Sequence, residues 1–576
     1  MRVALGCMRL STESTRDDER GLATLQAALD AGVSIFDTAR SYALDSGDLG
    51  HNERLVARAL KSRPGVAPRV LTKCGMRRDA GAWIPDGRAR TILADAAASV
   101  RALDGVPIDV LLLHAPDPRV SLATSARALG RAQHDGLARK VGVCNVSRKQ
   151  LEEAAAEAPI ATVQVALGAF DDVAIRGGVV DFCLARGIEI LAHSPLGGPE
   201  RARRLVRDPE LARIAAALQV SPLDVFLAYL SSVRPEIVPV VGARRVETVA
   251  HIVRAAELVL DADQLAALDA RFSALGRTRC PTPAAPLPAR DVEVVLLMGV
   301  PGSGKSRAAQ TYVERGYERL NRDLEGGTLK KITRLLEQRL AAGATRVVLD
   351  NTYVTRASRY DIVRVAAAHA ARVRCIHLET PLADAQINVI TRMLERFGRL
   401  LEPAELDEQA RKDAALLAPH ALFRLQRELE APAEDEGFAQ VERAPFVRQY
   451  AEGGVAGTFV ALTALGAGAL IALLADTPAA APALVYAWQP DATPGAVQAL
   501  RAVVENASAA TGRNVELALC QHPGGRPVCW CRPPLPGMLL AFAHRQRIDL
   551  RQSRLLGAST TDAAMARALG MSFQRA

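Results

Sequence analysis

A chain of 576 residues has room for three or four domains at roughly 150 residues each. Apolar residues make up 49%, which excludes a chain disordered throughout, and a net charge of +9 permits an acidic or phosphorylated partner without demanding one. Nine cysteines, scattered except for a group at 520, 529 and 531, lack the spacing of a secreted disulfide scaffold.

Met1-Arg2-Val3-Ala4-Leu5-Gly6 turns polar too quickly for a signal peptide, so the expected location is cytoplasmic. Eight short apolar runs follow, near 3–5, 34–36, 69–72, 109–113, 140–144, 162–166, 188–192 and 237–241. Most are separated by Ala/Leu/Arg-rich segments of helical period. Continuous apolar strands alternating with helices mean a parallel sheet buried on both faces. Eight such units in about 250 residues predict a closed (β/α)8 TIM barrel over 1–275.

Four polar residues mark the ends of the early runs: Asp37, then Tyr42 five positions on, Lys73 and His114. A carboxylate, a phenol, an ammonium and an imidazole gathered at strand ends can deliver a proton to a carbonyl oxygen. Asp37-Thr38-Ala39-x-x-Tyr42, Gly50-x-Asn52-Glu53, Thr72-Lys73 and Leu112-Leu113-His114 together resemble an aldo-keto reductase over about residues 1–275. The resemblance implies Tyr42 as general acid, Lys73 lowering its pKa, Asp37 holding Lys73, and His114 orienting the carbonyl of a small aldehyde or ketone.

It also implies an NADPH site. Asn145, after Cys144 in place of the usual serine, and Gln164 would meet the nicotinamide amide. His193 stands where a stacking tyrosine is common, followed by Ser194 and Leu196. Gly242, Arg244 and Arg245 resemble the loop that holds the adenosine 2′-phosphate, and arginine there favours NADPH. His251 and Ile252 replace the Glu and Asn that often contact adenine.

The stretch 276–290 is expected to be a Pro-rich linker. A new strand, Val292–Met298, then opens a P-loop NTPase-type parallel α/β sheet over 291–445. Gly299-Val300-Pro301-Gly302-Ser303-Gly304-Lys305-Ser306 lies between strand and helix, the setting of a Walker A loop for ATP with Mg²⁺. Backbone N–H groups of Gly299, Gly302, Ser303 and Gly304 would cradle phosphate, Lys305 would reach the outer phosphates and Ser306 the metal. Asn321-Arg322-Asp323 and Leu349-Asp350-Asn351-Thr352, with Arg356 and Arg359 beyond, resemble the 5′-hydroxyl polynucleotide kinases. This implies Asp323 as base, Asp350 at the metal or phosphate, and nucleic-acid 5′ ends as acceptor. Arg392, Arg396 and Arg399 fall where that family carries a lid. Small-molecule kinases share the loop and the downstream Asp, so the acceptor stays open between the two.

No charge lies between Glu452 and Asp476, a length that could span a bilayer. Its glycines and threonines suit a buried strand, turn and helix better, and no membrane partner is expected. Cys520-x-His522-x6-Cys529-x-Cys531 has the composition of a tetrahedral structural Zn²⁺ loop. It resembles the zinc loop of haloacid-dehalogenase-type (HAD-like) phosphatases, implying an α/β domain of that kind over 446–576. The aspartates of that family's nucleophile motif are absent at Thr463-Ala464-Leu465-Gly466-Ala467, Ala558 stands where a metal-binding Asp is usual, and Arg532 replaces a lysine. The implied domain is therefore inactive. The whole is expected to be an NADPH-dependent reductase fused to an ATP-dependent kinase. The alternative is an NADPH-binding sensor or adaptor, without turnover, attached to a nucleic-acid end-repair kinase.

Overall fold

The computed structural model describes residues 3–279, 292–413, 416–448, 453–462, 467–475 and 481–575. Contacts divide the chain into two compact units, Met1–Pro286 and Leu287–Ala576.

In the first unit, β1 (Ala4–Gly6), β2 (Ile35–Asp37) and β3 (Arg69–Cys74) precede a small antiparallel hairpin of β4 (Met76–Asp79) and β5 (Ala82–Pro85). Then come β6 (Val110–Leu113), β7 (Lys140–Cys144), β8 (Ile160–Ala166), β9 (Glu189–His193) and β10 (Ile237–Gly242). All but the hairpin pair in parallel and close as β1-β10-β9-β8-β7-β6-β3-β2. Strand period sorts each apolar run between two layers. Val110 and Leu112 join Ala4, Ile35, Leu71 and Val240 in the lumen, while Leu111 and Leu113 pack outward against the helices. The helices start where their sequence says: Ser147 and Gln150 form a capping box for Arg148–Glu157. The expected linker begins late. Residues 276–279 belong to the helix Ser273–Arg279, and 280–290 lie outside the described residues.

The second unit carries two parallel sheets. β11 (Glu293–Met298), β12 (Glu318–Leu320), β13 (Arg346–Asp350), β14 (Arg372–Glu379) and β15 (Gln440–Pro445) are ordered β12-β13-β11-β14-β15. β16 (Thr458–Ala461), β17 (Ala483–Trp488), β18 (Val515–Cys520), β19 (Arg554–Gly557) and β20 (Ser572–Arg575) are ordered β18-β17-β16-β19-β20. A boundary near 445 separates the two sheets, and each has hydrophobic clusters of its own, but the two are also joined. One hydrophobic cluster runs from Val300, Ile390 and Leu417 to Phe459, Trp530 and Phe542. Trp530 is buried and donates its indole N–H to the Leu417 carbonyl at 2.9 Å. The uncharged stretch holds β16 and the helix Ala467–Ala475. Residues 463–466, where the missing nucleophile motif is expected, lie outside the described residues. Among the described residues no single helix is long and apolar enough to cross a membrane.

Candidate active site, phosphate loop and metal cluster

Neighbouring β2, β3 and β6 bring Asp37, Lys73 and His114 to one end of the barrel, with Tyr42 in the loop after β2. Asn52 shapes that loop: it accepts from the Thr38 hydroxyl at 2.6 Å and donates to the Cys7 carbonyl at 2.9 Å. Lys73 is fully buried and its three N–H groups are all used, on Asp37 (2.6 Å), the Thr38 carbonyl (3.0 Å) and the Tyr42 hydroxyl (3.0 Å). A buried ammonium needs such pairing. Burial works against its charge, yet Asp37 holds the Lys73 pKa above the ordinary lysine value.

The expected lowering of the Tyr42 pKa is not what results. Burial, the largest influence, pushes the phenol up with Asp37 adding to the rise; Lys73 does pull it down, but the sum stays above the ordinary tyrosine value. Burial, with Lys73 and His193 nearby, holds His114 well below the usual histidine range, so its imidazole is neutral at pH 7. Its Nδ1 meets the Ser41 hydroxyl at 3.0 Å. Ser41 carried no signal in the sequence beyond standing next to Tyr42. Trp83, from the β4–β5 hairpin, was equally invisible; its ring lies edge-on 6.2 Å from Tyr42 and 5.6 Å from His114.

The expected cofactor residues surround the same mouth unevenly. Asn145 is exposed and left-handed (φ 57°); it donates to the His114 carbonyl at 3.1 Å and contacts His193 Nε2 at 3.0 Å. Ser194 contacts the other nitrogen of His193 at 3.2 Å, and Leu196 is half-buried against the barrel core. Gln164 is committed elsewhere: it donates to Asp37 at 2.9 Å and accepts from the Cys144 thiol, because its strand position points inward. Gly242 ends β10 in the open, Arg245 stands just before the helix Val246–Glu257 without a side-chain cap bond, and Arg244 forms an ion pair with Glu13. Ile252 is core, and His251 sits 3.2 Å from Asp224.

In the second unit the P-loop joins β11 to the helix Lys305–Val313. Gly299, Gly302 and Gly304 have φ of 153°, 83° and 90°, and a Cβ on Gly302 would meet the Ala385 carbonyl at 2.4 Å. Asn388 and Thr380 brace the loop by donating to the carbonyls of Gly302 (2.7 Å) and Ser303 (3.0 Å). Lys305 is buried against the carbonyls of Gly299 (2.9 Å) and Val300 (2.8 Å) and the Ser303 hydroxyl (3.4 Å). Desolvation drives its pKa down to about 8, against the pull of Asp350. Ser306 and Asp323 are exposed; Asp350 is buried, paired with Arg319 and accepting from Asn321 at 3.0 Å. Arg392 is exposed on the helix Leu382–Phe397 and close enough to Lys305 to oppose its charge. Arg396 and Arg399 are instead engaged with Asp413 and Glu405, and Arg359 is buried against Glu436 at 2.6 Å.

Cys520, His522, Cys529 and Cys531 converge, their ligand atoms all within 4.8 Å of one another. The Cys520 sulfur is 3.7 Å from Cys529 and 3.4 Å from Cys531, and His522 Nδ1 is 3.3 Å from Cys531. Tetrahedral zinc with bonds of about 2.0–2.3 Å needs ligand atoms roughly 3.3–3.8 Å apart, so this donor set fits. The far nitrogen of His522 meets the Glu402 carboxylate at 2.9 Å, a partner from the other sheet's side that the sequence spacing could not reveal.

Two family models match the chain: the aldo/keto reductase family at residues 2–271 and an AAA domain at residues 294–415. Among curated relatives, a 6-dehydroglucose reductase of Novosphingobium aromaticivorans is 29% identical over 261 residues, covering 43% of this chain and 84% of that protein. A methylglyoxal reductase of Salmonella typhimurium is 29% identical over 277 residues, covering 46% and 91%. Among solved structures, a thermostable aldo-keto reductase bound to epalrestat is 27% identical and covers 47% of this chain and 95% of that one, with a TM-score of 0.40. An aldo-keto reductase from Klebsiella pneumoniae in complex with NADPH is 20% identical, covers 47% and 90%, and has a TM-score of 0.40.

Proposed function

We propose that this chain, which joins an aldo/keto reductase domain to an AAA-type P-loop domain, reduces small aldehydes or ketones with NADPH in its first unit and transfers phosphate from ATP–Mg²⁺ in its second. The observation that carries the first half is Lys73 bridging Asp37 and Tyr42 beside a neutral His114.

NADPH, when bound, supplies hydride to the carbonyl carbon. Asn145, His193, Ser194 and Leu196 would line its nicotinamide end, and Gly242, Arg244 and Arg245 its 2′-phosphate. An exposed amide at Asn145, a half-buried imidazole at His193 and guanidiniums at the rim suit such a ligand, with Arg244 exchanging Glu13 for phosphate. The phenol of Tyr42, protonated at neutral pH, gives its proton to the carbonyl oxygen as charge builds there. Lys73 stabilises the phenolate left behind, and water restores the proton. With Ser41 donating to Nδ1, His114 would present Nε2–H to the same oxygen and fix its direction. Removing a general acid costs about 10² to 10⁴ in rate. Tyr42→Phe should therefore bind NADPH and lose turnover in an NADPH-oxidation assay with an aldehyde panel. Unchanged turnover would remove Tyr42 from the role. Cofactor binding by the wild type without turnover of any carbonyl would favour the sensor alternative.

The second half is supported by Lys305, a buried ammonium that among the described residues is hydrogen-bonded to two carbonyls and a hydroxyl, which an anionic phosphate would complete. Asp350 and Ser306 would hold Mg²⁺, Arg392 would reach the transferring phosphate, and exposed Asp323 would take the acceptor's proton. A nucleic-acid 5′-hydroxyl is the acceptor we favour. ATP consumption with and without a 5′-hydroxyl oligonucleotide tests it. Zn²⁺ in the Cys520–Cys531 loop would be structural, since four protein ligands leave no open position. All eight described cysteines are unpaired, which supports a reducing, cytoplasmic setting.

A further inference from the structure

Arg78 is out of place among its neighbours. At this end of the first unit Arg40 pairs with Asp95, Arg77 and Arg88 with Asp86, and Arg119 with Asp117. Arg78 is only 6% exposed, yet among the described residues no carboxylate meets it. One nitrogen makes a long bond to the Leu44 carbonyl, at 3.4 Å; Nε and Nη1 are buried with no partner. A buried guanidinium without an anion is costly, and the desolvation shows in a lowered pKa.

Its position says what it could serve. Arg78 faces Trp83 across the β4–β5 hairpin, with its guanidinium 3.9 Å over the indole. The same indole is 6.2 Å from the Tyr42 ring and 5.6 Å from His114. Two ring contacts therefore link an uncompensated cation to the proton donor. The indole is 40% exposed and stands on a two-stranded hairpin, so turning that one ring aside would uncover Nε and Nη1.

We propose that Arg78 is a specificity-determining residue that selects carbonyl substrates carrying an oxyanion, a carboxylate or a phosphate, a few carbons from the carbonyl. The proposal rests on the reductase reading above. A substrate oxyanion would supply the lone pairs the guanidinium lacks, displace Trp83 from above it, and leave the carbonyl at Tyr42 and His114.

The test compares matched probes on the full chain with NADPH: succinate semialdehyde against butanal, and glyceraldehyde phosphate against glyceraldehyde. A charge-assisted contact should favour one anionic probe over its neutral partner by about tenfold to a hundredfold in kcat/KM, and the arm that responds names the group. Arg78→Gln should bring that ratio to near one, and Arg78→Lys should restore part of it. An absent preference in the wild type, or one that survives in Arg78→Gln, overturns the proposal. If no aldehyde is reduced at all, the reductase reading fails, and calorimetry with γ-hydroxybutyrate against butanol still decides the anion site. Binding of the anion alone, lost in Arg78→Gln, supports the site; equal or absent binding overturns it.

Discussion

Two buried groups, one in each unit, make the response to pH predictable. Lys305 titrates near 8 in the ligand-free loop, and phosphate beside it would raise that value. Between the two values ATP binding must take up a proton. Affinity should fall above pH 8, approaching tenfold per unit by linkage, and calorimetry in buffers of different ionisation enthalpy should register the uptake at pH 9. His114 works in the opposite sense. Its folded-state pKa lies below its unfolded value of about 6.5. Its neutral form costs the fold nothing above that value, and stability is lost as pH falls below it, because the unfolded chain takes the proton first. For the same reason kcat/KM should show no inflection from His114 near pH 6.5; a break there would mean the imidazole is charged in the working enzyme. Asp37, Tyr42, Lys73 and His114 were legible in the sequence because each closes or follows an apolar run. Ser41, Trp83 and Arg78 were not. Their meaning depends on which side chains a loop and a hairpin fold against, and spacing carries no record of that.

At the scale of elements, glycines mark where backbones come closest. On β7 a Cβ at Gly142 would sit 2.1 Å from the Thr162 carbonyl of β8. Gly142→Ala should prevent the two strands from pairing in register, and circular dichroism melts should show the first unit destabilised by several kcal/mol or unfolded, as overpacking costs about 1–3 kcal/mol even with a neighbour free to move. The eight strands of the barrel were readable because parallel strands buried on both faces give continuous apolar runs. The convergence of Cys520, His522, Cys529 and Cys531 was readable too, from four candidate ligands within twelve positions, but the contact behind His522 was not. Glu402 lies 120 positions from His522 and meets it only in the folded chain. Glu402→Gln should weaken zinc binding by about 10–100-fold, measured by competition with a chelator; unchanged affinity would show that the contact is incidental.

For the whole molecule, the sequence suggested three domains where contacts give two units. The signal it used, a helical, charged stretch near 403–440, does precede a second sheet; the cluster that joins the first sheet's helices to that second sheet depends on side chains scattered from 300 to 571 and has no local signature. Trp530→Ala should cost about 3–5 kcal/mol and destabilise both sheets of the second unit together, which nucleotide binding and zinc retention can follow in parallel. Loss of one without the other would mean that the sheets fold separately.

That common core has a mechanical meaning as well. A chain held by its ends and stretched should rupture in two events, one for each compact unit. The second unit should give way at once and not sheet by sheet, because cooperativity follows shared burial more than secondary structure. A cut in the chain near 445, however neatly placed between strands, would tear a hydrophobic surface open on both fragments and leave each prone to aggregate.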